Sequence, residues 1–369
     1  VKALRETEVM VIGGGPAGLS AAVEAASFGC DVTLVDSDLA LGGQLIKQTH
    51  KFFGSRDERA GTRGFKISEL LMDELSERRD SVTAYTNCTA TGYYPEDGVL
   101  SCVKGEDEYF KVKPHKIVMA TGAQERLIPF PNNHLPGVYG AGAVQTLMNV
   151  YGVKPGDRVL MVGAGNIGLI VSYQLLQAGV EVAGIVEALD KVGGYWVHAA
   201  KVRRLGVPIY LRHTVVEALG EQYVTGAVIQ EIDERFQPVG EGKALDVDII
   251  CMAVGLTPTC ELLWQAGCEM IFVPELCGYV AQRDKNMRTS HPDIWVAGDA
   301  AGIEEASSAM VEGRIAGVNV AKSLGHGSSA EHEKRLAEYR RRLDDLRGGE
   351  VGEKICKGIA CCTVDRWEV

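Results

Sequence analysis

An α/β chain made of two similar nucleotide-binding units, the second inserted into the first, is the fold class this sequence predicts. Three observations predict it. The apolar run Val9-Met10-Val11-Ile12 leads into the glycine-rich turn Gly13-Gly14-Gly15-Pro16-Ala17-Gly18. The run Val159-Leu160-Met161-Val162 leads into Gly163-Ala164-Gly165-Asn166-Ile167-Gly168, with Gly163 standing 150 positions after Gly13. Each turn is followed by a helical stretch closed by a glycine (Gly29, Gly179) and a β-run ending in an acid (Asp36, Glu187). In such Rossmann-like units the first glycine makes a tight turn and the second lets backbone approach a pyrophosphate. The third packs helix on strand, and the helix N-terminus faces the phosphate charge. One GxGxxG is weak evidence; two in full strand–turn–helix–strand context imply two dinucleotides.

The remaining elements follow in order. Leu41-Gly42-Gly43-Gln44 opens a polar and aromatic loop from Leu45 to Arg63. Ile67, Leu70, Leu71 and Leu75 give residues 64–79 a helical pattern. Strands are expected at Val82–Thr91, Val99–Lys104 and Tyr109–Val112, with a turn at Pro95-Glu96-Asp97-Gly98. Lys116 to Gly122 reads as a buried strand ending in a glycine turn, and the prolines from Pro129 to Pro136 mark a linker. The second unit closes on the β-run Asp248 to Gly255, and Thr257-Pro258 marks the return. Ile294-Trp295-Val296-Ala297 is strand-like before Gly298-Asp299, and a helix is expected from about Glu305 to Ser323. The expected domains are 1–128 with 259–325, then 137–256, and a tail over 326–369. In the tail Leu336, Tyr339, Leu343 and Leu346 recur at helical spacing, predicting an amphipathic helix over 330–347.

Composition narrows the function classes. The chain has 369 residues, 46% hydrophobic and 24% charged, enough for two ordinary cores. A net charge of −11 argues against a nucleic-acid partner, because phosphate binding needs clustered Lys and Arg. The most apolar stretch, Val9–Ala26, is interrupted by glycines, Pro16 and Glu24, so no membrane span is expected. The ten cysteines form no CxxC pair, and no secretion signal is visible; both fit a cytoplasmic setting. No metal site is expected.

The ordered set GxGxxG, GGQ, ATG, GxGxxG and AGD resembles the two-dinucleotide-binding-domain flavoproteins, the thioredoxin-reductase-like branch in particular. The resemblance covers residues 8–325. It implies FAD in the outer domain and NAD(P)H in the inserted one. On this reading Gly13, Gly15, Pro16, Ala17 and Gly18 hold the FAD pyrophosphate, and Asp36 takes the adenosine ribose. Gly43 and Gln44 run under the flavin, with Thr49 and Gly122 in the same set. Asp299 binds the ribityl chain or a pyrophosphate-side group. Ser307 and Ser308 offer backbone N–H groups at a helix N-terminus to the flavin N1/O2 edge, where reduced flavin is anionic. Lys47 and His50, in the loop that runs on to Phe53, are candidates to stabilise that charge or to act as acid–base groups.

The disulfide reductases in this family need two thiols beside the flavin. Here no cysteine follows the GGQ turn, and Cys251 is the only cysteine between Gly137 and Gly255. Disulfide reductase activity at either usual position is therefore not expected. For the second nucleotide the candidates are Gly163, Gly165, Asn166, Ile167, Gly168, Glu187 and Gly255. Glu187 follows Gly179 by eight residues, whereas Asp36 follows Gly29 by seven. Strand side chains alternate, so the acid faces the wrong side unless a bulge, for which Gly184 is a candidate, corrects it. A carboxylate at the ribose favours NAD(H) as cosubstrate over NADP, and Ala188-Leu189-Asp190 offer no arginine. A vestigial site, or one for another nucleotide, is the alternative.

The segments Gly137–Asn149 and Met310–Gly317 resemble the α-type subunits of heteromeric amine dehydrogenases, among them opine oxidases, hydrogen cyanide synthase and proline dehydrogenases. That resemblance implies a second oxidoreductase subunit or a small redox carrier as partner, in an oligomer. Many such subunits carry a C-terminal iron–sulfur extension, whose spacing Cys356, Cys361 and Cys362 do not match. The expected function is two-electron transfer among nicotinamide, flavin and a partner. A stand-alone NAD(P)H oxidoreductase using a quinone, ferredoxin or oxygen is one alternative, and a non-catalytic nucleotide-binding subunit another.

Overall fold

The computed structural model describes residues 4–52, 55–365 and 367. The chain forms two compact units, Val1–Gln124 with Thr257–Val369, and Glu125–Leu256. The first unit opens with β1 (Arg5–Ile12), α1 (Pro16–Ser27), β2 (Val32–Val35), α2 (Gly64–Ser76) and β3 (Val82–Tyr85). It continues through β4 (Cys88–Tyr94), β5 (Val99–Lys104) and β6 (Glu108–Met119). Short strands β7 (Ala123–Glu125) and β16 (Leu256–Pro258) stand where the chain passes from one unit to the other. The second unit carries β8 (Val138–Gly140), α3 (Ala141–Gln145), β9 (Arg158–Val162), α4 (Asn166–Gln177), β10 (Glu181–Glu187) and α5 (Trp196–Arg204). It ends with β11 (Ile209–Leu211), β12 (His213–Leu219), β13 (Gly226–Ile232), β14 (Pro238–Leu245) and β15 (Ile249–Met252). The return to the first unit adds α6 (Glu261–Gln265), β17 (Met270–Val273), β18 (Gly278–Ala281), β19 (Arg283–Asp284), β20 (Ile294–Val296) and α7 (Ala306–Ser323). Last come α8 (Ser329–Leu346), α9 (Gly349–Cys362) and β21 (Thr363–Val364).

In the first unit the sheet order is β3-β2-β1-β6-β5-β4, with β20 also on β6. Strands β3, β2, β1, β6 and β20 run parallel, while β4 and β5 pair antiparallel. β1 is central and loses both faces from water, which is why Val9 to Ile12 read as an unbroken apolar run. Helix α1 has Pro16 in its first turn and is made of small residues. It meets α7 closely: a Cβ on Gly313 would stand 2.1 Å from Ala17 O, and one on Gly317 2.6 Å from Ala21 O. That approach sets the start of α7 beside the first glycine-rich turn.

The second unit has a parallel sheet, β11-β10-β9-β15-β8, and an antiparallel one, β12-β13-β14. Along β9, Val159 and Met161 join one buried cluster while Leu160 and Val162 join another. The strand is covered on both faces.

Four expectations are corrected. The helix over 64–79 stops at Ser76. The run Val82–Thr91 breaks at Asn87, whose φ is +50°, and becomes β3 and β4. Tyr109–Val112 and the strand expected from Lys116 are one continuous β6. Pro114 is tolerated there because β6 pairs β5 only up to Val112 and β20 only from Ile117, so nothing on that edge needs its N–H. The tail holds two helices. Ser328 caps α8 by accepting from Glu331 N at 3.3 Å, and Leu336, Tyr339 and Leu343 bury against the first unit. Helix α9 packs Ile355, Ile359 and Cys362 against Val273, Leu276 and Val280.

Candidate functional site

Both glycine-rich turns close in the same way. Gly13 has φ +102°, and a Cβ there would lie 2.1 Å from Ala120 O; Gly163 has φ +106°, with the corresponding contact at 2.4 Å to Ala253 O. Neither position admits another residue without moving backbone. Gly13 N donates to Val35 O at 2.9 Å, and Gly163 N to Val186 O at 2.8 Å. A Cβ on Gly18 or Gly168 would run into the carbonyl of Gly13 or Gly163, at 1.7 and 2.0 Å. At Gly15, by contrast, the nearest atom is Gly43 Cα at 3.9 Å, and at Gly165 nothing lies within 4 Å. The middle glycines face open space, as a cradle for a bulky ligand requires.

The acids are fixed identically. Asp36 accepts from Gly14 N (2.5 Å) and from Asp38 N (2.7 Å). Glu187 accepts from Ala164 N (2.8 Å) and from Leu189 N (3.0 Å). The extra residue before Glu187 is absorbed in β10, whose register against β9 shifts between Val182 and Gly184. From there Val186 pairs Val162 as Val35 pairs Ile12, and the acid comes next in both. Burial pushes the Asp36 carboxyl above its ordinary range, opposed by its two backbone hydrogen bonds.

The likeness extends to a segment that sequence reading did not pair. Gly42 N donates to Gly14 O at 2.8 Å, and Gly194 N to Ala164 O at 3.0 Å. A Cβ on Gly43 would sit 2.8 Å from Gly15 Cα, and one on Gly194 2.8 Å from Asn166 N. Asn166 Oδ1 holds the crossing strand by accepting from Tyr195 N at 2.7 Å. The signal was present: Gly193-Gly194 follows Gly42-Gly43 by 151 positions. A second missed residue is Arg212. It donates its backbone N–H to Leu189 O at 3.0 Å and its guanidinium lies 3.9 Å from Asp190, beside the end of β10.

After Gly42 the chain makes a tight helical turn over Gly43–Lys47. Gln44 is exposed, while Lys47, Thr49 and His50 are half-buried. His50 stacks on Phe52 with ring centroids 5.6 Å apart; Phe53 lies outside the described residues. Gly122, at φ +73°, ends the turn after β6, where its carbonyl accepts from Thr259 N at 3.0 Å. Gly255 accepts from Arg126 N at 2.9 Å.

Asp299 sits in the turn Gly298–Ala301 and accepts from Glu304 N at 3.3 Å. Burial, with Glu312 and Glu304 nearby, raises its carboxyl to about 7. Ser307 and Ser308 are buried in the first turn of α7, whose leading N–H groups have no partner within the helix. Around this turn lies a buried charge cluster. Arg347, from the end of α8, donates Nη2 to Glu304 (2.5 Å) and Glu312 (2.6 Å), and Nε to Glu304 at 3.1 Å. Glu312 also accepts from Gly298 N at 3.0 Å. Arg283 donates to Ala301 O at 2.7 Å and to Cys362 Sγ at 3.4 Å.

Cys251 is fully buried, and burial pushes its thiol far up. Cys356 and Cys361 are exposed, Cys362 is buried, and all are free thiols. Among the described residues Glu8, Cys30 and His326 bring donor atoms within 4.8 Å of one another, with Glu8 paired to His326 at 3.0 Å.

Two complete glycine–acid turns in one chain match a known pattern. Residues 7–313 fit the family described as pyridine nucleotide-disulphide oxidoreductase. The chain belongs to that family. It is 29% identical over 362 residues to hydrogen cyanide synthase subunit HcnB of Pseudomonas aeruginosa, covering 93% of this chain and 77% of that one. Opine oxidase of Agrobacterium tumefaciens has a large component, its A polypeptide, that is 28% identical over 355 residues, covering 91% and 70%. Among solved structures the chain resembles L-proline dehydrogenase from P. horikoshii, with TM-score 0.70 and 24% identity over 92% of this chain. The chain spans 60% of that protein's length. Thioredoxin reductase from T. acidophilum gives TM-score 0.69 and 21% identity, covering 87% of this chain and 99% of that one. These likenesses show the fold. Among the described residues no helix is long and apolar enough to cross a membrane.

Proposed function

We propose that this chain is an FAD-binding, NAD(H)-linked oxidoreductase that works as one subunit of an amine- or amino-acid-dehydrogenase-like complex. The observation that carries the reading is the doubled turn: each open middle glycine stands beside an acid pinned by two backbone N–H groups. In the first unit Gly13, Gly15, Pro16, Ala17 and Gly18 hold a pyrophosphate at the α1 N-terminus, and Asp36 receives the ribose. Gly43, Gln44, Thr49 and Gly122 line the flavin side, and buried Asp299 supplies a carboxyl to a ribityl hydroxyl. The first turn of α7, at Ser307 and Ser308, stabilises negative charge on the ring edge, and Lys47 and His50 are placed to add to it. Bound FAD supplies two-electron chemistry that the side chains lack.

In the second unit Gly163, Gly165, Asn166, Ile167 and Gly168 hold the nicotinamide nucleotide, with Gly255 in the turn after β15 and Glu187 on the ribose. A carboxylate there opposes a 2′-phosphate. Arg212 supports NADPH as the second reading, because it brings a guanidinium to the same strand end. A partner is supported by the relatives, two of which are named as subunits of hydrogen cyanide synthase and opine oxidase.

Native mass spectrometry of protein purified without a tag counts cofactors and partners together. The expected result is one FAD per chain and a co-purifying oxidoreductase partner. Anaerobic mixing with NADH, then NADPH, separates the cosubstrates by the rate of flavin bleaching. A colourless chain that binds neither nucleotide would remove the proposal; a yellow chain that turns over alone with a dye would remove only the partner.

A further inference from the structure

The outer-domain FAD reading leaves the tail without a role. Residues 298–304 form a short loop between β20 and α7, and this loop carries Asp299. Arg347 reaches both of its ends. Through Glu312 it is bonded to the backbone N–H of Gly298, and it grips Glu304, whose own N–H holds Asp299. The middle of the loop is held by Arg283 through Ala301 O. Glu304 and Glu312 are buried carboxylates beside the first turn of α7, the position where an anionic ligand would have to sit. Two buried negative charges there oppose such a ligand unless cations balance them. Arg283 and Arg347 supply two, of which Arg347 makes the fork-shaped contacts.

We infer that Arg347, delivered by the end of α8, is a positioning residue for the cofactor of the outer domain. It neutralises Glu304 and Glu312 and fixes the loop that presents Asp299, so the tail is a working part of that site. This rests on the FAD reading above. The arginine touches no reacting atom; it acts through the loop and through the charge beside α7.

The test compares full-length native protein with Arg347→Met, Arg347→Lys and the double variant Arg347→Met/Glu304→Gln. Each is stripped of flavin, titrated with FAD, and its flavin midpoint potential measured with a redox dye. Arg347→Met is expected to weaken FAD on the order of tenfold or more. Its midpoint should move negative, because one uncompensated carboxylate now faces the reduced anion. Lysine should restore much of the potential, since it keeps the charge without the fork. The double variant should restore the potential although the arginine contacts are gone. Where Arg347→Met does not fold by circular dichroism, the lysine and double variants carry the test against native protein, with the double variant near the native potential. An unchanged FAD affinity and potential in Arg347→Met overturns the inference. A loss that neither lysine nor the double variant repairs also overturns it, reducing Arg347 to packing. Native protein that binds no FAD overturns the outer-domain reading first, and this inference with it.

Discussion

The two glycine-rich turns match in their backbone hydrogen bonds but differ in what surrounds them. Around the first, Asp36, Asp299, Ser307 and Ser308 are buried or nearly so, and charges from distant segments close the rim. Around the second, Ile167, Tyr195 and Trp196 are exposed, Trp196 by 72%. The same turn therefore serves two kinds of occupancy. A buried, charge-balanced rim suits a ligand that stays, and an open aromatic one suits a ligand that comes and goes. The comparison also shows that register, and not residue count, sets where an acid points: Glu187 reaches the place of Asp36 through a bulge.

The largest effect should come from filling the open middle positions. Gly15→Leu and Gly165→Leu have room in the ligand-free fold, so both proteins should be folded. The first should lose flavin altogether; the second should stay yellow while NADH binding falls on the order of a hundredfold. Visible absorbance and NADH titration read both. Stoichiometric FAD in Gly15→Leu would break the comparison at its base.

Next is Asp299, which belongs to the first rim alone. Its carboxyl is raised to about 7, so the folded protein holds a proton that the unfolded chain releases near 4. The stability this contributes is complete below pH 4 and is lost as pH rises through 7. Asp299→Asn, which never ionises, should make the flavin-free protein more stable than native at pH 8, by roughly 2–4 kcal/mol at 1.36 kcal/mol per unit. The gap should shrink toward pH 5. Urea melts at the two pH values measure it, and an equal gap at both would mean that another group titrates.

Glu187→Ala sharpens the comparison from the other side. Loss of a charged hydrogen bond worth about 1.5–3 kcal/mol should weaken NADH roughly tenfold to a hundredfold. It should leave FAD content unchanged and narrow the preference for NADH over NADPH. Stopped-flow flavin reduction reports each. If native protein instead prefers NADPH, Arg212 governs the ribose end, and Arg212→Ala should reverse the preference.

The smallest effect is expected from the thiols. Cys356 and Cys361 are accessible and Cys362 is buried among Val273, Leu276 and Val280. Alkylation under native conditions should leave NADH-to-dye electron transfer nearly intact. Full loss traced to Cys361 would assign the tail an electron-carrying role.

What the sequence made legible was local. Apolar runs, glycine spacing and terminal acids announce the two turns because strand, turn and helix are neighbours along the chain. Pro114 misled because a proline in a strand is harmless where one edge lies open, and that edge depends on where β5 ends and β20 begins. Arg347, Arg212 and Gly194 were hidden for a related reason. Each acts on residues that the fold alone brings near, and charge or glycine by itself does not say on what. Only Gly193-Gly194 left a periodic trace, displaced by the residue that the bulge absorbs.

The arginines of α8 have a consequence for the order in which the molecule can be made. Glu24 accepts from Arg335 at 2.9 Å, Glu58 from Arg342 at 2.6 Å, and Glu304 with Glu312 from Arg347. A ribosome makes Glu24 early and its counter-ion some three hundred residues later. The second unit, one continuous stretch from Glu125 to Leu256, has every partner for its sheets once residue 256 has emerged. The first unit must wait, with buried acids unmatched, until the last of these arginines leaves the tunnel. In the growing chain the inserted unit folds first, and the nucleotide turn that stands first in sequence is completed last.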